Sequence, residues 1–205
     1  PALMKGSRES GAGRWTVIQV PTLSFYEYCE LIDVDRPNIP EDLKVTSMLN
    51  KTQIERTQIM MQLSKVQNHF MRYLQVGGFP ELALADNDLM AQQIMREDVV
   101  DKVLKRDLPS LYNIRNATEL ERIFLYLCNV SSEIVSIEAI TKELNGVSRT
   151  TVENYIQYLE SANLIYQSWP VDMAGKKILK ARPKIYISDA AIKNAVLMDD
   201  SIMSD

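Results

Sequence analysis

The chain has 205 residues, of which 46% are hydrophobic and 24% are charged, a composition typical of globular proteins that excludes the disordered and fibrous classes. Its 23 basic and 27 acidic side chains give a formal net charge of −4, which excludes a grip on nucleic acid by the molecule as a whole. Any nucleic-acid surface must therefore be local.

The cysteine content and hydropathy predict a cytoplasmic protein with no membrane partner. Cys29 and Cys128 lie far apart in apolar periodic runs, which predicts two buried thiols in a reducing cytosol. No basic-then-apolar leader opens the chain, and no apolar run approaches the roughly 18 residues that a membrane helix needs.

The first elements are predicted to be a short strand and a helix. Trp15–Val20 alternates as a strand does, and Pro21 ends it. Ser24 and Glu27 have the spacing of a capping box, which starts a helix. Between residues 33 and 50 the apolar periodicity lapses, which predicts a loop.

Two longer helices are predicted next. The first runs from about Thr52 to Leu74, because apolar residues recur there at three- and four-residue steps, and Gly77-Gly78 supplies a left-handed stop. The second is capped by Asn87 or the residue after it and continues to about Arg106, before Pro109 ends it. Its predicted apolar face consists of Leu89, Val99, Val103 and Leu104.

The last third of the chain has the spacing of a helix, a shorter helix, a turn and another helix. Thr118 and Glu121 predict a capping box for the first of these helices. Its predicted inward face consists of Leu120, Ile123, Phe124 and Leu127. Ser136 is predicted to cap a helix over residues 137–144, and Asn145-Gly146 to make the turn.

A third helix and a hairpin complete this region. Ser148 is predicted to cap the helix. Its apolar stripe consists of Val152, Ile156 and Leu159. Strands at Ile165–Trp169 and Lys184–Ile187 are predicted to pair, followed by a helix from about Asp189 to Leu197. Three helices and a hairpin make a winged helix-turn-helix, so the predicted fold is mainly α with a small β component.

Motifs for catalysis are scarce. The single histidine, His69, is better explained by packing or surface exposure than as a general base or ligand, because no nucleophile is paired with a base nearby. A phosphate loop is not present either: Gly175-Lys176 is followed by Lys177 instead of Ser or Thr, and Pro170 stands where the first glycine belongs. We expect no metal site in the chain.

Two groups of residues are candidates for DNA contact. Five basic residues fall within nine positions of the predicted wing: Lys176, Lys177, Lys180, Arg182 and Lys184. Four outward positions of the third helix have side chains that can reach base edges: Arg149, Thr150, Asn154 and Gln157. Glu153 and Glu160 would repel a DNA backbone, so a protein-docking or purely structural winged helix remains the alternative.

Six short runs of the chain occur in the order known from one protein family. They are Gly6-Ser7, Gly13-Arg14-Trp15, residues 21–28, residues 77–81, Lys105-Arg106-Asp107 and residues 184–189. Over nearly the whole chain they resemble prokaryotic AAA-type ATPases that join a P-loop core to a C-terminal domain of unknown function. The resemblance implies that residues 1–32 end the core near its sensor-1 region, 33–117 form a loop and helical lid, 118–198 the winged helix and 199–205 a tail. The Walker motifs would precede this segment, and a restriction-endonuclease-like domain would follow it.

The resemblance also implies roles for individual residues. Ser7 matches the sensor residue that reads the γ-phosphate, and Arg14 the arginine that faces a neighbouring nucleotide, with a surface ion pair as the alternative for Arg14. Gly77, Gly78 and Pro80 match a lid motif whose proline packs against adenine, with a helix stop as the alternative. ATP with magnesium is the cofactor implied for the full-length parent, and none is expected in this chain alone.

The leading interpretation is a fragment of an AAA-type ATP-binding protein whose winged helix couples nucleotide state to DNA or a protein partner. The chain alone is predicted to be inactive as an ATPase, because the main phosphate-binding elements lie outside it. A free-standing winged-helix transcription regulator and a protein-docking scaffold without DNA binding are the alternatives. Each is compatible with an oligomer.

Overall fold

The computed structural model describes Ile18 and residues 20–40, 42–171 and 181–197. The described chain is mainly helical with one small antiparallel sheet, so the predicted fold class is confirmed. It divides into a helical unit, residues 21–92, and a hairpin unit, whose main part is residues 93–197. This boundary falls inside the predicted lid, and the four predicted domains stay a prediction. The predicted strand at Trp15–Val20 lies largely outside the described residues.

The helical unit begins with the predicted capping box. The Ser24 hydroxyl accepts a hydrogen bond from the Glu27 amide, and the Glu27 carboxylate accepts one from the Ser24 amide at 2.8 Å. The predicted loop over residues 33–50 instead ends in a 3-10 helix. The elements of this unit are α1 (Phe25–Leu31), the 3-10 helix (Val45–Asn50), α2 (Gln53–Ser64), α3 (Gln67–Val76), α4 (Pro80–Ala83) and most of α5 (Asp88–Ile94).

The prediction of a single helix from Thr52 to Leu74 is wrong, because the helix is interrupted between α2 and α3. Val66 leaves the helical conformation at φ −104° and ψ 0°, and its side chain is buried. No glycine or proline marks this break, so local sequence offered no signal for it. The predicted stop after α3 is confirmed, since Gly77 has a φ of 83°.

Aromatic rings and one arginine hold the helical unit together. Phe25 of α1 lies edge-on to Phe70 of α3 with ring centroids 5.0 Å apart, and the ring centroids of Tyr28 and Tyr73 are 5.3 Å apart.

Arg72 donates hydrogen bonds to the Tyr28 hydroxyl at 2.9 Å and to the Asp88 carboxylate at 2.8 Å. It also donates to the carbonyls of Ala83 and Ala85, at 2.9 and 3.3 Å. This one side chain therefore ties α1 and α3 to the turns that follow.

The helix that begins at α5 continues beyond the predicted end. Two π-helical stretches, Met95–Asp101 and Val103–Asp107, lead directly into α6 (Leu108–Tyr112), so Pro109 does not end the helix. The buried residues of this stretch are Met95, Val100, Leu104 and Leu108. Met95 and Val100 are five residues apart, which is more than one turn of an α-helix, and the wider π turn places both side chains on the buried side. Leu89, predicted to face the core, is 76% exposed.

The hairpin unit has the predicted order of elements. They are α7 (Ala117–Asn129), α8 (Ile137–Glu143), α9 (Arg149–Ser161), β1 (Ile165–Ser168), β2 (Lys184–Ile187) and α10 (Ala190–Leu197). The four predicted inward residues of α7 are all fully buried, and α7 packs against α9, α10 and β2. The predicted Thr118–Glu121 capping box is wrong. Asn116 caps α7 by accepting from the Glu119 amide, because asparagine is at least as good a cap as threonine and begins the helix earlier.

Candidate nucleic-acid interface

The solvent face of α9 is set by a cap, a turn and a buried stripe. Gly146 turns the chain with a φ of 96°, and the Ser148 hydroxyl accepts from the Thr151 amide at 3.1 Å, as predicted. The buried residues of the predicted stripe are Val152, Ile156 and Leu159. The opposite face of the helix is therefore in solvent. The four predicted base-reading residues are all exposed: Arg149, Thr150, Asn154 and Gln157.

The charge of Arg149 is already paired within the protein. Its guanidinium lies 2.8 Å from Glu153 on α9 and 2.8 Å from Glu138 on α8. The hydrogen bond to Glu153 raises the pKa of Arg149, and a backbone amide together with Arg149 and Arg182 lowers the pKa of the Glu138 carboxyl. The N-terminal end of α9 therefore presents a neutralised network of charges, which the sequence did not reveal.

Glu160, predicted to repel DNA, has a structural partner. Its carboxylate accepts hydrogen bonds from the backbone amide and the side-chain amide of Gln167, both at 2.9 Å. These two bonds join the end of α9 to β1 and place the hairpin beside the helix. Both donors are uncharged amides and bring no cation to the carboxylate, so Glu160 still disfavours phosphate at this end of the helix.

The basic residues of the predicted wing are only partly described. Arg182 is 59% exposed and lies 3.8 Å from Glu138, and Lys184 is exposed at the start of β2. Lys176, Lys177 and Lys180 lie outside the described residues, as do the two proposed catalytic residues, Ser7 and Arg14.

The predicted cofactor-binding residues lie where α3 ends and α4 begins. Gly77 and Gly78 are buried at the end of α3, and a Cβ on Gly78 would lie 2.4 Å from the carbonyl oxygen of Leu23. Because Gly78 has no side chain, the backbone of Leu23 can pack directly against it. Pro80 is exposed at the first position of α4, where a missing amide costs nothing.

The helical unit also contains a cleft that the sequence did not predict. It has a volume of about 600 Å³, and its walls come from residues 34–38 and from the α2–α3 connection. Its two cations already have partners: Arg36 pairs with Glu30, and Lys65 donates to the Gln62 side chain at 3.1 Å. Within the described residues, no group of three or more acidic, histidine or cysteine side chains is placed to hold a metal ion.

The fold and the α9 face define a mainly helical protein with a small antiparallel sheet and an exposed polar helix. Residues 67–202 match the family described as a domain of unknown function, DUF8612, and the chain belongs to this family. No helix in the described part of the chain is long and apolar enough to cross a membrane.

Two relatives are themselves uncharacterised proteins. One, from Methanocaldococcus jannaschii, is 33% identical over 109 residues, which are 51% of this chain and 24% of the relative. The other, from Haemophilus influenzae, is 23% identical over 186 residues, which are 89% of this chain and 40% of the relative. The chain thus spans about a quarter and two fifths of their lengths. No solved structure matches it.

Proposed function

We propose that the hairpin unit is a winged helix-turn-helix that couples the nucleotide state of a longer AAA-type ATP-binding protein to DNA or a protein partner. The observation that carries the binding role is the exposed face of α9, which follows the Gly146 turn and lies beside an antiparallel hairpin. An exposed polar helix in this position is the usual recognition element of helix-turn-helix proteins.

The AAA-type parent is supported by the resemblance described above and by the greater length of both relatives. The sequence of this chain contains no phosphate loop, and the backbone of Leu23 fills the space beside Gly78. We therefore place ATP and magnesium in the remainder of the parent. The 205-residue chain is expected to show no ATP hydrolysis above that of a mock purification.

Binding of the chain to random-sequence duplex DNA tests the DNA arm of the proposal. At about 50 mM salt the chain should bind, and at about 200 mM salt the affinity should fall steeply, since phosphate contacts release counterions. A Lys176, Lys177 and Lys180 to Glu variant should lose this binding. The matched control changes Lys44, Lys51 and Lys65 to Glu in the helical unit, which alters the net charge equally and should bind far better than the wing variant.

A protein partner is the second candidate, and the pairing of Arg149 with Glu138 and Glu153 favours it. A recognition helix whose first cation is neutralised binds phosphate weakly. It still offers a polar surface on which a protein can dock. Absence of duplex binding at about 50 mM salt would reject the DNA arm and leave the protein-docking function.

A further inference from the structure

The hairpin sheet has one buried face and one exposed face. In the register of the sheet, Tyr166 of β1 lies opposite Tyr186 of β2, and Ser168 lies opposite Lys184. Ile165 and Ile185, which point the other way, are each 1% exposed. We call the exposed side the outer sheet face.

A third backbone segment widens the outer sheet face. Ile134, which lies between α7 and α8, forms an antiparallel bridge with Lys184 and is 64% exposed. On the same edge, the Ser132 amide donates to the Ile185 carbonyl at 2.7 Å. The central strand is therefore β2, and the sheet is three backbone segments across, or roughly 10 Å.

Aromatic rings dominate the outer sheet face. The rings of Tyr166 and Tyr186 are stacked, with centroids 5.3 Å apart and planes inclined by 13°. On this face Tyr166 is 50% exposed. Trp169, the residue that follows β1, is 52% exposed at the end of the strand. Accessible aromatic rings on a sheet surface are the platform on which unpaired nucleobases stack, and this stacking tolerates any sequence.

The charge of this region complements a polyanion. Lys184 lies on the face itself, and no acidic side chain belongs to the strand positions that form it. In the sequence, the 172–180 segment that joins β1 to β2 carries three lysines and a single acidic residue, Asp172. An aromatic surface that carries a lysine, here Lys184, favours a nucleic-acid strand over an apolar peptide.

We propose that the outer sheet face binds the unpaired bases of a single nucleic-acid strand, with the stacked rings of Tyr166 and Tyr186 as the stacking surface. This inference rests on the proposed binding function of the hairpin unit, and moves the contact from α9 to the sheet. The reason is that the leading cation of α9, Arg149, is held by two carboxylates, whereas Lys184 of the sheet face lies opposite the uncharged residues Ser168 and Ile134 in the strand pairing.

Fluorescence anisotropy with labelled 20-nucleotide oligothymidine, oligouridine and a mixed duplex tests the proposal on the whole 205-residue chain. At about 50 mM salt the single strands should bind more tightly than the duplex, and comparison of the two single strands identifies DNA or RNA as the source. Tyr166→Ala should weaken single-strand binding roughly tenfold, whereas Tyr166→Phe, which keeps the ring, should bind nearly as wild type. Tyr26→Ala, which removes a comparably exposed tyrosine of the helical unit, should have no effect.

A tryptophan signal gives a second readout that does not depend on a folded alanine variant. In a Trp15→Phe background, Trp169, which directly follows β1, is the only tryptophan, and its fluorescence should change when oligothymidine binds to the neighbouring sheet face. Binding of single strands or duplex that Tyr166→Ala leaves unchanged would overturn this inference while the proposed function survives. No binding of any oligonucleotide at about 50 mM salt would overturn both the stacking site and the DNA arm of the proposed function.

Discussion

The backbone amide of Leu23 donates a hydrogen bond to the carbonyl of Gly78 at 2.7 Å, so the start of α1 lies directly against the end of α3. A Cβ on Gly78 would lie 2.4 Å from the Leu23 carbonyl oxygen and 3.0 Å from its amide nitrogen. Both clashing atoms belong to the backbone, which cannot rotate away as a side chain can. Gly78 is therefore required by packing, whatever its role in a longer protein.

Replacing Gly78 with alanine is expected to lower the free energy of unfolding by roughly 1–3 kcal/mol, the usual cost of overpacking. Urea unfolding followed by circular dichroism measures the loss. Gly146→Ala is the comparison, because Gly146 has a positive φ but open space around it, and should lose only about 1 kcal/mol. An unchanged midpoint for Gly78→Ala would contradict the packing role.

Arg72→Met is expected to destabilise the chain by roughly 2–4 kcal/mol, because it leaves two backbone carbonyls and the Asp88 carboxylate without their donor. The loss for Arg72→Lys should lie between zero and that of Arg72→Met, because the lysine ammonium keeps the charge but cannot reproduce the hydrogen bonds of the planar guanidinium. Arg106→Met is the control. Arg106 pairs with its neighbour Asp107, both side chains are more than half exposed, and the loss should stay below about 0.5 kcal/mol. Equal losses for the two methionine variants would argue against the role of Arg72.

The carboxyl of Glu27 is expected to titrate below its ordinary value, because hydrogen bonds from the Ser24 amide and hydroxyl lower its pKa from 4.5. A lowered folded-state pKa means that the carboxylate contributes stability above the unfolded-state pKa. That contribution is lost as the pH falls through the lower, folded-state pKa. Carboxyl NMR measures the midpoint directly. Ser24→Ala, which removes the hydroxyl, should move the midpoint back toward 4.5, and an identical midpoint in both proteins would refute the cause.

Neither thiol should react in the folded protein. Burial raises the pKa of Cys128 to about 12, and burial also raises the pKa of Cys29. Ellman's reagent at about pH 8 should therefore find no thiol in the native chain and two after denaturation. Rapid release of one equivalent from the native protein would show that a cysteine is accessible.

A Glu138→Gln and Glu153→Gln double variant should free Arg149 for phosphate contact. If duplex DNA docks on α9, its affinity should rise. The slope of log affinity against log salt concentration should steepen by about one, because one more counterion is released. A Glu97→Gln and Glu143→Gln variant has the same change in net charge away from Arg149 and controls for long-range attraction. Unchanged duplex binding in the first variant would place the contact elsewhere, as the outer sheet face requires.

Much of the candidate site was predictable because its determinants are local. Ser136 and Ser148 cap α8 and α9 through bonds spanning three residues, and the Gly146 turn lies between them. The exposure of Asn154 and Gln157 follows from helical periodicity alone. The Arg149–Glu153 pair has the local i, i+4 spacing of a helical ion pair, but the contact of Arg149 with Glu138 was not predictable, because Glu138 lies eleven residues away on another helix.

The sequence by itself determined the mainly helical class, the caps, the buried stripe of α9 and the pairing of two strands, since short-range hydrogen bonds and side-chain periodicity specify these features. Tertiary structure alone decided the break at Val66, the π turns before Pro109 and the bridge from Ile134 to β2. In each of these, burial or strand pairing with residues distant in the chain outweighed the local preference. The full width of the outer sheet face belongs to this second group, because Ile134 is added to it only where the segment between α7 and α8 reaches β2.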